Sequence, residues 1–176
     1  EIISSNILTN KNINGQFRLR TRKLNKIRLF DQVDININFE EGSINLDKSY
    51  LLNNKFAKIL IYNTNFGIVD GGSILNGEIK LNIFDYDHFY RTFSVSKKKR
   101  LKKKFENIIF YFTFNLNNSK FSIDKINFLN HEGKVMQSKN VDDFVEDNYE
   151  TRFKISNNVL FKNFMRKVLN IYLDEG

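Results

Sequence analysis

The side chains in this sequence best suited to acid–base or metal chemistry near neutral pH are its two histidines, His88 and His131. Neither belongs to a cluster with the spacing of a metal site, so both read as structural or solvated residues. Asp85 and Asp87 begin like a calcium-binding loop, but the glycine and the terminal glutamate that such a loop needs are missing. Asp85 therefore reads as a helix N-cap. The acidic pairs Glu40-Glu41 and Asp142-Asp143 fall in a turn and at a helix start, where carboxylates serve solubility and the helix dipole. Gly71-Gly72 stands alone between strand-like segments and does not form a phosphate cradle. Cysteine is absent, which excludes disulfides, thiolate metal sites and thiol nucleophiles. Asn117-Asn118-Ser119 matches a glycosylation triplet but is explained by a hairpin turn. The expectation is a non-enzymatic protein with no cofactor, no metal and no small-molecule substrate.

One charged feature remains. Lys97, Lys98, Lys99, Arg100, Lys102, Lys103 and Lys104 form a run broken only by Leu101, in a chain of formal net charge +8. Its plain reading is a solvated loop. Its functional reading is a patch for an anionic surface, each lysine contributing ~1 kcal/mol in a salt-sensitive way. Nucleic acid is the weakest partner class, because base stacking needs exposed aromatics and those nearby alternate as buried ones do. No run reaches the ~20 apolar residues of a spanning helix. The chain starts at Glu1, and residues 1–10 lack the basic and apolar blocks of a signal peptide, so we read a fragment or a processed chain.

The elements that would position these residues are mostly strands. Asn107 to Leu116 alternates strictly, turns at Asn117-Asn118-Ser119 and returns as Lys120 to Phe128, a hairpin with Ile108, Phe110, Phe112, Phe114 and Leu116 on one face. Phe17, Leu19 and Thr21 share a face of an earlier strand whose other side is cationic. Val33 to Phe39 pairs with Ser43 to Leu46 through a turn at Glu40-Glu41-Gly42. Lys48 to Lys55 reads as a loop, Phe56 to Tyr62 as a strand that Asn63 to Phe66 extends, and Asp70-Gly71-Gly72 as a tight turn. Ser73 to Ile83 is a strand with Ile79, Leu81 and Ile83 together and a bulge expected at Gly77. Asp85 to Phe93 switches to helical period, Asn140 to Asp147 reads as a helical turn or two capped by Asn140, and Asn157 or Asn158 caps a C-terminal amphipathic helix through Leu173.

These elements predict one mainly β domain over residues 1–176, an antiparallel twisted and curved sheet, as open groove or sandwich, with a short helix after Ile83 and an amphipathic helix over residues 157–173. Periodicity alone does not separate a filled core from an open apolar face. The candidates for a lipid-facing surface are Ile79, Leu81, Ile83, Ile108, Phe110, Phe112, Phe114 and Phe121.

The strand Gly77 to Ile83, the aromatic helix Phe89-Tyr90-Arg91-Thr92-Phe93, the basic linker Lys97-Lys98-Lys99-Arg100 and the hairpin from Ile108 to Phe128 occur in an order that resembles the C-terminal region of AsmA-like proteins of alphaproteobacteria. The closing stretch Phe161 to Tyr172 is similar to the last helix of those proteins. The resemblance implies a periplasmic module tethered to the inner membrane by a segment absent from this chain. It also implies phospholipid or a membrane surface as partner, together with other envelope proteins, in lipid transport or outer-membrane assembly. The alternative is a structural β domain that docks an acidic partner or an anionic membrane through its basic loop.

Overall fold

A computed structural model describes residues 10–22, 29–69, 72–100, 105–147 and 158–175. Nine strands lie in the described residues and make one open antiparallel sheet. They are β1 (Gly15–Thr21), β2 (Gln32–Glu40), β3 (Ser43–Asn45), β4 (Ser49–Asn53), β5 (Ala57–Val69), β6 (Gly72–Ile83), β7 (Asn107–Asn115), β8 (Lys120–Leu129) and β9 (Val135–Met136). Their order across the sheet is β1-β2-β4-β5-β6-β7-β8-β9, with β3 folded back onto the end of β2. Four helices accompany them: α1 (Tyr86–Thr92), α2 (Lys97–Arg100), α3 (Lys139–Asp147) and α4 (Asn158–Asp174).

Alternation, interrupted by irregularities in β5 and β8, gives the longer strands one apolar side, and the helices cover part of the resulting face. The stripe of α4 places Met165, Val168 and Leu169 out of contact with water, and Tyr172 stacks on Phe128 of β8 with ring centroids 3.7 Å apart. Asp85 caps α1 by accepting a hydrogen bond from the His88 backbone N–H at 2.9 Å, which with the His88 ring holds its carboxyl below the usual range. The cap aims Phe89 and Phe93 inward against Phe56 and Tyr90 against Phe105. Val141 and Val145 of α3 close the layer.

Several elements differ from expectation. The expected loop Lys48 to Lys55 contains β4, whose Tyr50, Leu51 and Leu52 are half-buried and which is flanked by β2 and β5. Its polar end residue misleads because Asn53 is buried, its side-chain amide donating to the Leu29 carbonyl at 2.7 Å. β9 pairs with β8 where the pattern looks irregular. The cap of α3 is Ser138 rather than Asn140, since the Val141 N–H bonds to the Ser138 hydroxyl. Lys97–Arg100 is a short helix rather than a loop. The supposed cationic side of β1 is neutralised in part, because Arg18 and Arg20 both grip Asp34, which is fully buried. The turn at Asp70-Gly71 and the Asn157 cap lie outside the described residues.

The expected bulge at Gly77 sits on the neighbouring strand. Pairing of β5 with β6 slips between Tyr62 and Asn65, opposite Gly77, and Asn63 takes a left-handed conformation there (φ 50°). A Cβ on Gly77 would come within 2.7 Å of the Thr64 methyl and 3.1 Å of its Cα, so the glycine makes room for the bulge across from it.

Candidate functional site

A second bulge falls at the same level of the sheet. On β8 the register shifts beside Phe112, where Ile123 pairs with Phe112 and Lys125 with Tyr111, leaving Asp124 extra. Phe112 is itself the partner of Gly77. Bulges bend a strand and raise its twist, so the two bulges flanking β6 and β7 kink the sheet along one line. On one side of that line the apolar face lies beneath the helices. On the other it has no helix above it among the described residues and forms a groove.

The groove has a volume of about 390 Å³, within the ~300–1,000 Å³ of small-molecule sites. One flank is the β2–β3 tip, with Ile37, Phe39, Ile44 and Leu46; the other is the β7–β8 hairpin, with Phe112, Phe114, Leu116 and Phe121. Ile61, Phe66, Leu75 and Ile79 of β5 and β6 lie between them. All twelve are aliphatic or phenylalanine. The base is well packed, with Phe112, Phe66 and Leu75 buried, and Phe112 stacks on Phe121 at 5.4 Å. Most of the remaining lining, including Ile37, Phe39, Leu46, Phe114 and Leu116, is only half-buried. The β2–β3 flank is strapped in place through the bulge: the Thr64 N–H and hydroxyl both donate to Asp47, at 3.0 and 2.9 Å, and the Leu46 N–H donates to the Thr64 oxygen at 2.6 Å.

The eight lipid-facing candidates divide at the bulge line. Ile79, Phe112, Phe114 and Phe121 line the groove. Leu81, Ile83, Ile108 and Phe110 do not; they are at most 9% exposed and belong to the core covered by α1, α3 and α4. Alternation puts all of them on one face, and only the placement of the helices separates them. Ile37, Phe39, Ile44, Leu46, Ile61, Phe66, Leu75 and Leu116 complete the groove and were missed. The signal that could have found the bend is a change of parity. Inward residues run Ile59, Ile61 and then Thr64, Phe66 in β5, and Phe121, Ile123 and then Ile126, Phe128 in β8.

The basic run is partly neutralised. Lys99 pairs with Asp174 of α4 at 2.6 Å, and Arg100 donates to the Val95 carbonyl at 2.8 Å while lying 3.7 Å from Asp87. Lys97 and Lys98 are exposed, and Lys102, Lys103 and Lys104 lie outside the described residues. His88 contacts Asp85 at 2.8 Å and His131 lies 3.7 Å from Glu132. Among the described residues no three His, Asp or Glu side chains converge as a metal site would require. No helix among them is long and apolar enough to cross a membrane.

A larger polar hollow, about 640 Å³, lies at the β1–β2–β3 tip and is bordered by Asn14, Gln16, Asn38, Glu40 and Asn45. Phe39 borders it too, yet Asn38 and Asn45, joined at 3.0 Å, point to the opposite side of the sheet from Phe39 and Ile44 by the period of two. It therefore does not extend the groove.

Comparison of the chain with protein-family models, with curated proteins and with solved structures finds no match.

Proposed function

We propose that this chain is a non-enzymatic lipid-handling module that shelters acyl chain in the groove between the β2–β3 tip and the β7–β8 hairpin. The observation that carries this reading is a solvent-open hollow whose lining, among the described residues, is entirely hydrocarbon side chains. With no hydrogen-bonding side chain in its lining among the described residues, the groove offers little purchase to a polar substrate, whereas each methylene moved into it from water gains ~0.8 kcal/mol. Open apolar surface of this kind is uncommon on a monomeric protein unless something binds there. The resemblance to AsmA-like proteins supplies the setting: a periplasmic protein tethered to the inner membrane and serving phospholipid transport or outer-membrane assembly. Exposed Lys97 and Lys98 would then face lipid headgroups or an acidic partner rather than form a site of their own.

Organic extraction of the purified chain followed by lipid mass spectrometry tests the reading, with Phe114→Asp beside the wild type. Phe114 is half-buried in the lining, so a carboxylate there spoils the groove while remaining within reach of water. The expected result is acyl lipid recovered with the wild type and lost from the variant at unchanged circular dichroism. Equal recovery from both, or none from either, would refute it.

A further inference from the structure

We infer that the groove holds one acyl chain rather than two, so that its ligand is a single-chain amphiphile of the fatty acid or lysophospholipid class. The inference rests on the acyl-chain reading above and adds the size and orientation of what is bound. Size comes from volume: an apolar cavity of ~150 Å³ accommodates benzene, or ~25 Å³ per carbon. At that packing the 390 Å³ groove takes roughly sixteen carbons. One long chain fills it. The two tails of a membrane diacyl lipid would need about twice the space and leave one tail in water.

Orientation comes from the two ends. At one end Ile79 and Phe121 pack against both the groove cluster and the helix-covered core, and Phe112 beside them is 5% exposed. The groove stops there against packed side chains, and among the described residues its lining holds no polar side chain to receive a headgroup. Toward the β5–β6 tip the same face continues from Phe66 to Ile68, which is 58% exposed. The methyl end therefore lies against Ile79 and Phe112, and the polar end leaves toward the hairpin tips.

Titration of the intact, delipidated chain with decanoyl, lauroyl, myristoyl, palmitoyl and stearoyl lysophosphatidylcholine, read by calorimetry and native mass spectrometry, tests this against dipalmitoyl phosphatidylcholine vesicles. One lysolipid per protein is expected, tightening by up to about fourfold per added methylene as far as palmitoyl and levelling at stearoyl. The diacyl lipid should bind no more tightly than its palmitoyl lyso counterpart. Leu116→Trp, which adds bulk at the lining without removing apolar surface, should shift the plateau to shorter chains. Two chains per protein, diacyl binding tighter by about tenfold or more, or an unmoved plateau in Leu116→Trp would overturn the one-chain inference while leaving an acyl groove in place. Failure of every lipid to bind would overturn the groove reading itself.

Discussion

At the scale of single residues, Gly77 and Asp34 hold positions that composition would not single out. Gly77 faces the bulged Thr64 so closely that any side chain must push the Thr64 methyl aside, and the Thr64 Cα and the Phe112 ring lie 3.1 and 3.2 Å from where its Cβ would be. Gly77→Ala should lower stability by about 1–3 kcal/mol, the usual range for overpacking, where alanine in an ordinary strand would help. Urea unfolding measures it, and an unchanged midpoint would contradict the close approach. Asp34 is held well below the usual carboxylate range by hydrogen bonds from Arg18 and then Arg20, at 2.8 Å each, against the opposing cost of burial. Because its folded pKa is depressed, its contribution is fully present above the unfolded value of ~3.9 and is lost as pH falls through the folded one. Asp34→Asn should therefore lower the melting temperature at neutral pH and narrow its difference from wild type under strong acid. An equal difference at both pH values would exclude the ion pair as the cause.

At the scale of elements, much of the fold was legible. β7 and the stripe of α4 each repeat one period long enough to leave no second reading, and the change to helical period after Asp85 marks its cap. The elements that escaped are those whose context comes from neighbours. β4 is a strand because β2 and β5 hold it on both sides, and β9 is only two residues long. The first bulge was placed on the wrong strand because Gly77 looks like the irregular residue while the irregularity lies on β5, which it faces; the second, on β8, shows only as a change of parity. The helical layer is what turns part of the apolar face into core, and α4 contributes Met165, Val168 and Leu169 to it. Leu169, inaccessible to water beside Met165 and Val168, should cost about 2–5 kcal/mol when replaced by alanine. Leu160→Ala, at an exposed position of the same helix, should cost far less. Thermal melts of the pair distinguish a docked helix from a loosely attached one, for which the two losses would be similar.

At the scale of the molecule, a single sheet does two jobs along its length, a covered core on one side of the bulge line and an open groove on the other. The sequence could show that Ile108, Phe110, Phe112 and Phe114 share a face but not where the cover ends, since that depends on where the distant α4 comes to rest. Isotope-filtered nuclear Overhauser spectroscopy on the intact chain with ¹³C-labelled palmitoyl lysophosphatidylcholine locates a bound chain directly. The account predicts contacts from the acyl protons to Phe112, Phe114, Phe121 and Leu75, and none to Phe110 or Phe128 beneath the helices. Contacts to Phe17 and Leu19 on the exposed edge strand or to Val159 and Leu160 on α4, with none in the groove, would contradict it.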